Sequence, residues 1–349
     1  MRPWAAARGL AVAALLLAGA CAGPLRVAAG PQPGADAPPV PLLWVAERGG
    51  RSLYLLGSFH LLSPRDYPLS PDVQAAFDDA EEVLLELSPE EMASPTLAAR
   101  MARAARRDDG TTLGSELSPE TRRKLVAWLR ANAPRLGRNG LTAQRLQQFE
   151  PWFVALAVTM VGMDDAGLDP ELGLDRHFAD AAVAAGKRTG GLETGDQQIA
   201  FLDGMDRAEQ VQMLDEALDD AAPGNDEIQV LHALWRAGEA DAIWKRLGGR
   251  MQREYPGLYR RINVERNTAW LAELRRRLDA PGGDDTLVVV GSLHLLGPDG
   301  LVARLRDAGY RVRRICTACA PGVARSGGGR DQHDAIHRAR GDAQLAAGA

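Results

Sequence analysis

The 349-residue chain lacks the motifs that mark several large classes of enzyme. It contains no HExxH, GxSxG or GxGxxG pattern and no Walker A loop, so zincins, α/β-hydrolases, dinucleotide-binding enzymes and P-loop NTPases lose support. The formal net charge is only −5, and this mild acidity gives no reason to expect a nucleic acid as a partner. Aromatic residues make up only 5% of the chain, hydrophobic residues 46% and charged residues 25%. This composition indicates a globular protein of one large domain or two small ones.

The N-terminal region lacks an apolar run long enough to span a membrane. Residues 9–19 are apolar, but a membrane-spanning helix needs about 20 such residues. A basic start and the small residues before Cys21 are instead typical of a signal peptide over residues 1–20. Residues 21–40 are rich in Pro, Gly and Ala and are expected to form a flexible linker. We therefore expect an exported protein, either periplasmic or anchored to the membrane as a lipoprotein through Cys21.

Cysteine is scarce. Besides Cys21 the chain has only Cys316 and Cys319, and no second Cys-x-x-Cys pair exists that would complete a zinc site. The pair follows a predicted strand instead of opening a helix, so we expect a small disulfide or two free thiols. Residues 319–349 have no apolar period and are expected to be disordered. The folded domain is thus predicted over residues 41–318.

What the chain does contain is the same tetrad, Gly-Ser-x-His, at two distant places. Residues 57–60 and 291–294 carry it, each after a short apolar run and each followed by Leu-Leu-x-Pro. Such runs are typical of buried strands, so His60 and His294 should each lie just past the carboxyl end of a strand. In open α/β sheets that edge is where ligands bind. One copy alone could be only a tight turn, but two copies in the same setting favour a shared functional site.

The order of the predicted elements indicates an α/β fold, with a mostly parallel central sheet, an N-terminal hairpin and a large helical layer or cap. Leu42–Ala46 and Arg51–Leu56, separated by a Gly turn, predict the hairpin. Strand–helix–strand units then predict about four to six parallel strands. The long amphipathic stretches 90–170 and 198–280 predict the helical layer. Candidate helices there are Pro119–Ala131, Ala208–Leu218, Ala240–Leu247 and Arg261–Leu278.

Two further predicted strands end in glutamates, Glu86 and Glu193. Because parallel strands share one carboxyl edge, both should lie on the same rim as the histidines. Two histidines and one carboxylate form a ligand set for a divalent metal ion, with Mn, Co and Zn as candidates. We expect His60, Glu86 and His294 to bind it, and Glu193 to act as a general base or to hold a histidine. The alternatives are a metal-free site that uses the same residues and, for each glutamate, a mere capping or salt-bridge role.

A predicted helix contains Asn263, Arg266 and Asn267, and the two asparagines lie four residues apart on one face of it. Arg266 and Asn267 could orient a substrate carbonyl or the glutamates. Spacing alone favours the simpler interpretation, which is a surface salt bridge.

Together these motifs resemble the TraB/PrgY/GumN family. The resemblance runs from about residue 42 to residue 315 and is carried by both GSxHLL segments, the EVLLEL strand, GLDRHF at 173–178, GLET at 191–194 and ERN at 265–267. The family is similar to the Tiki proteins, membrane-tethered metalloproteases that cleave a secreted signalling ligand. The resemblance implies a compact α/β fold with a metal-dependent hydrolytic site, in which His60, His294 and Glu86 are the catalytic or metal-binding set. Arg266 and Asn267 correspond to the Arg-Asn of the ERN motif.

We therefore expect an exported metal-dependent hydrolase of the peptidase type, acting on a peptide or protein. Two alternatives stay open. One is a non-catalytic binding protein that sequesters a peptide, haem or a polysaccharide fragment, and the other is a metal-free hydrolase that uses histidine and glutamate. The sequence names neither the substrate nor the oligomeric state.

Overall fold

A computed structural model describes residues 37–138 and 140–319. The predicted signal peptide, Cys21, most of the linker and almost all of the C-terminal tail lie outside these residues. Within them, no helix is both long enough and apolar enough to cross a membrane. Cys316 and Cys319 form a disulfide bond, one of the two states expected for this pair.

Six strands of the described chain form one mixed sheet. They are β1 (Leu43–Arg48), β2 (Arg51–Ser58), β3 (Glu82–Leu85), β4 (Arg188–Gly191), β5 (Thr286–Gly291) and β6 (Arg311–Ile315). Their order across the sheet is β4-β3-β5-β2-β1-β6. The first four strands in that order pair in parallel, whereas β1 runs antiparallel to both of its neighbours. The fold is therefore the predicted one, a mostly parallel α/β sheet with an N-terminal hairpin.

The hairpin and the centre of the sheet follow from simple local features. Gly49 and Gly50 both have positive φ, as the two-residue turn that joins twisted antiparallel strands requires. All six residues of β5 are buried, which suits a central parallel strand covered on both faces. Although β5 comes late in the chain, it enters between β2 and β3. In the register of β2 with β5, Ser58 lies opposite Gly291, so the two tetrads meet at adjacent strand ends.

Helices make up most of the remaining described chain. In the first half they are α1 (Pro71–Asp79), α2 (Pro89–Met92), α3 (Leu97–Ala104), α4 (Leu113–Glu116), α5 (Pro119–Arg138), α6 (Ala143–Leu146), α7 (Pro151–Asp165) and α8 (Leu174–Ala184). In the second half they are α9 (Gly195–Asp203), α10 (Arg207–Asp220), α11 (Glu227–Ala237), α12 (Ala240–Ile243), α13 (Gly249–Glu254), α14 (Pro256–Tyr259), α15 (Arg266–Asp279) and α16 (Leu301–Asp307). The helical layer predicted from the amphipathic stretches is present.

Two predicted helices are not uniform. The helix expected over Ala240–Leu247 becomes π-helical at Trp244–Gly248, and the one expected over Arg261–Leu278 is π-helical at Arg260–Glu265 before α15 begins. A π-helical turn holds an extra residue, which apolar periodicity does not reveal. Such turns are often found at functional sites, and here the second one leads directly into Arg266.

The described residues form two main hydrophobic cores. One surrounds the sheet and includes buried side chains such as Leu55, Val289 and Trp270. The other lies within the helical layer and is centred on α7, in which Trp152 and Leu156 are fully buried. The carboxyl ends of β2, β3 and β5 lie between these cores and carry the residues described next.

Candidate functional site

The two tetrads are joined directly. Ser292 Oγ donates a hydrogen bond to the carbonyl oxygen of Ser58 at 2.8 Å. Gly57 permits this close approach, because a Cβ at that position would lie 3.0 Å from Ser292 Oγ and 3.3 Å from Ser292 Cα. The first glycine of the motif thus serves the packing of one tetrad against the other.

His60 is held by a carboxylate. Its Nδ1 lies 2.6 Å from Asp175 Oδ2, and Ser58 Oγ donates to Asp175 Oδ1 at 3.2 Å. Burial alone would lower the pKa of His60, but the charge of Asp175 and the hydrogen bond to it outweigh burial and raise that pKa above its ordinary value. With Nδ1 engaged, the Nε2 atom of His60 is the one presented to the site.

His294 is held by an amide instead. Asn267 Nδ2 donates to the carbonyl oxygens of His294 at 3.2 Å and Asp299 at 2.8 Å, which leaves Asn267 Oδ1 to accept from His294 Nδ1 at 2.7 Å. The lone pair of the imidazole is therefore on Nε2, where it accepts from Arg266 Nη1 at 3.1 Å. Burial, together with the positive charges of Arg266 and His60, lowers the pKa of His294 well below its ordinary value. His294 is a neutral imidazole.

Glu86 lies between the two histidines. Its Oε1 accepts the backbone N–H of Gly291 at 2.8 Å, and its Oε2 accepts from Arg266 Nη2 at 2.5 Å. Burial raises the pKa of Glu86 despite the opposing effect of Arg266 and His60. A Cβ placed on Gly291 would lie 2.9 Å from His60 Nε2, 3.3 Å from Glu86 Oε1 and 3.6 Å from His294 Cδ2. The three side chains therefore converge on the space in front of Gly291.

Arg266 links the glutamates. Its Nε and Nη2 donate to the two carboxylate oxygens of Glu193 at 3.1 and 2.5 Å, and Gln198 Nε2 donates to the same carboxylate at 2.7 Å. The guanidinium also lies 4.7 Å from the centroid of the Trp270 ring. Although burial opposes it, the charges of Glu86 and Glu193 raise the pKa of Arg266 and keep it a permanent cation. Because Arg266 is only 5% exposed, the interpretation as a surface salt bridge is wrong.

The structure brings all six residues singled out from the sequence into this one cluster. Two strands end earlier than predicted: β3 ends at Leu85 and β4 at Gly191, so Glu86 and Glu193 follow their strands by one and two residues. Sequence reasoning missed Asp175 and Gln198, which enter from helices and not from strand ends. The GLDRHF segment contained the signal for Asp175, because that aspartate lies in the first turn of α8.

The donor types at the site suit a divalent metal ion. Each histidine has its Nδ1 in a hydrogen bond, the arrangement that orients a metal-ligating imidazole. As far as the chain is described, the cluster holds three carboxyl groups, those of Asp175, Glu86 and Glu193, and one permanent cation, Arg266. Across residues 37–138 and 140–319, however, no three His, Cys, Asp or Glu side chains are already arranged as a metal site. At present Arg266 holds both His294 and Glu86.

Comparison with known proteins gives a family and no individual relative. No curated protein and no solved structure matches the chain. The model of the TraB/PrgY/gumN family matches residues 42–314, which include every residue of the cluster. That match spans most of the chain, and the protein belongs to the TraB/PrgY/gumN family.

Proposed function

We propose that the protein is a hydrolase of peptide bonds and that His60, Glu86 and His294 bind a divalent metal ion at its active site. The observation that supports this most directly is the convergence of His60 Nε2 and Glu86 Oε1 in front of Gly291, beside the His294 ring. Two imidazoles and a carboxylate are ligands that Zn, Mn and Co accept. When bound, such an ion would polarise the substrate carbonyl and make a bound water more acidic.

The protein's own residues have separate roles in this proposal. Asp175 holds the His60 ring and its Nδ1 proton, so that Nε2 faces the substrate. Asn267 does the same for His294 without adding charge. Glu193 and Gln198 fix the Arg266 guanidinium, which can stabilise negative charge that develops on a substrate oxygen. We also propose that this chemistry takes place outside the cytoplasm, because residues 1–21 have the features of an export signal.

The contact between His60 and Asp175 favours a second candidate, hydrolysis without a metal. A buried imidazole with its Nδ1 on a carboxylate is the arrangement of a general base that takes a proton from water. The same pair can therefore serve either chemistry, and the metal requirement has to be measured.

The experiment that tests the proposal is digestion of a peptide library by the purified protein after chelation, with and without added Zn, Mn or Co. Mass spectrometry reports cleavage, and elemental analysis reports bound metal. We expect cleavage that depends on one of these ions, and a fall of at least about 10²-fold for His60→Ala and Glu86→Gln. His177→Gln is the matched control, because His177 lies on α8 but outside the cluster.

Each outcome selects one function. Cleavage that survives complete removal of metal favours the second candidate. If no peptide is cleaved under any condition, the hydrolase proposal is wrong and the protein is better described as one that binds a peptide, haem or a polysaccharide fragment. Normal cleavage by His60→Ala would show that the site lies elsewhere.

A further inference from the structure

An apolar cavity of about 90 Å³ opens directly onto the candidate site. One side of it consists of the two tetrads, which contribute both histidines, Phe59 and Leu293. The other side belongs to the helical layer and is formed by Met163, Ile228, Leu231, Trp235, Ile243 and Leu247. A substrate that reaches the histidines must therefore lie against this apolar surface.

The lining determines what chemistry the cavity accepts. Its charge-bearing side chains are His60 and His294 alone, because Asp175, Glu86 and Glu193 are not among the lining residues. A group that enters it loses its water and meets a mostly apolar lining, so an apolar group is favoured over a charged one.

The volume of the cavity limits the size of the apolar group that it can hold. An apolar cavity of roughly 150 Å³ is known to hold benzene. The present cavity is about 90 Å³, which suits a branched aliphatic group better than an aromatic ring.

The side of the cavity that belongs to the helical layer is held in place relative to the histidines by hydrogen bonds and ion pairs of α11. Trp235 Nε1 donates to the carbonyl oxygen of Gly57 at 3.1 Å. On the same helix, His232 and Arg236 contact the fully buried carboxylate of Asp66, which lies in the short 3₁₀ helix after the first tetrad. Because α11 is attached at these points, the size of the cavity is set by the fold, and a rigid cavity discriminates between side chains by shape.

We infer that the substrate is a peptide with a branched aliphatic side chain, Leu, Ile or Val, next to the bond that is cut. This inference rests on the proposed function, because it places the cleaved bond at His60 and His294. Those histidines line the cavity themselves, so the residue that fills the cavity must flank the reacting carbonyl. Leu231, on the wall opposite the tetrads, becomes a residue that determines specificity.

The test is a set of quenched fluorescent peptides that differ at one residue, which is Ala, Val, Leu, Phe, Asp or Lys. We expect kcat/KM to be highest for Leu and Val. One methylene in an apolar pocket is typically worth about 10–200-fold. Leu231→Ala should enlarge the cavity and raise the rate for the Phe peptide relative to Leu, and Leu231→Trp should fill it and lower the rate for Leu more than for Ala. Leu234→Ala is the matched control, because Leu234 lies on the same helix and does not line the cavity.

A binding measurement separates failure of this inference from failure of the proposed function. Calorimetry with N-acetyl-leucinamide, N-acetyl-aspartic acid amide and octanoate is carried out on the wild type and on Leu231→Trp. Cleavage with no preference at the varied residue would overturn the inference and leave the hydrolase intact. Binding of only the leucine amide, lost in Leu231→Trp, without cleavage of any peptide would support the cavity assignment and refute the hydrolase. Binding of octanoate alone, or of none of the three without cleavage, would overturn the assignment to an aliphatic peptide side chain.

Discussion

The two Gly-Ser-x-His segments share one sequence pattern, a place at the end of a parallel strand and nearly the same histidine burial. Their histidines nevertheless have opposite electrostatic surroundings. His60 is 5% and His294 is 6% exposed. Nδ1 of the first faces the carboxylate of Asp175, and Nδ1 of the second faces the amide of Asn267. The pKa of His60 is raised and that of His294 is lowered.

The difference shows that the motif fixes the position of each imidazole, whereas residues from distant segments determine its pKa. Each tetrad places its imidazole at the strand end by local geometry. The group that then decides its charge comes from α8 for His60 and from α15 for His294. Two imidazoles beside one carboxylate, one with a raised pKa and one with a lowered pKa, can divide the roles of proton donor and proton acceptor, which two identical histidines could not.

The largest expected effect comes from making the first histidine resemble the second. Asp175→Asn removes the charge that raises the pKa of His60 and allows its ring to adopt the other tautomer. We expect peptide cleavage to fall by about 10²–10⁴-fold, measured as kcat with the best peptide of the library. Asp180→Asn is the control on the same helix, where the aspartate is exposed and pairs with Arg176. An Asp175→Asn enzyme with unchanged kcat would mean that the contrast between the histidines has no catalytic role.

The reverse substitution, Asn267→Asp, should have a smaller effect. The carboxylate would raise the pKa of His294, and its oxygens could no longer donate to the carbonyls of His294 and Asp299. We expect a fall in activity of about 10–100-fold and a loss of about 1–3 kcal/mol in the free energy of unfolding. Imidazole NMR of the chelated protein measures the pKa. Asn132→Asp is the control, because Asn132 also donates to a helix carbonyl but lies far from the site in sequence. If His294 titrated as in the wild type, the amide would not be what keeps it neutral.

Local sequence was sufficient for the parts of this site that lie at strand ends. A strand and its end are local features, so they can be predicted without knowing the fold. This applies to the apolar runs that precede His60, Glu86 and His294. That the two tetrads meet agrees with the pairing of β5 with β2, but the entry of β5 between β2 and β3 is a non-local feature that the sequence does not predict.

The other features of the site depend on contacts between segments that are distant in the sequence. Asp175 meets His60 across 115 positions of the chain, and nothing in the period of α8 marks it as more than a first-turn acid. Arg266 could be predicted only as a helical arginine, since its burial results from the carboxylates of two strand ends that pack over it. The α11 residues that line the cavity could not be predicted either, because the sequence of an amphipathic helix does not show what its buried face contacts.

The prediction with the smallest effect on the histidines concerns Asp220, which lies outside the cluster. Its titration would add to any measurement of stability against pH and obscure the contribution of the histidines. Burial, with the charges of Glu227, Glu216 and Asp219, raises the pKa of Asp220 to about 8. Between about pH 4 and pH 8 the folded state keeps this proton and the unfolded state releases it, so stability falls as the pH rises. Asp220→Asn should therefore be more stable than the wild type at pH 8 and equal to it near pH 4. Urea unfolding at the two pH values measures this, with the exposed Asp307→Asn as control. Equal stability of Asp220→Asn and wild type at pH 8 would show that Asp220 is ionised there without cost.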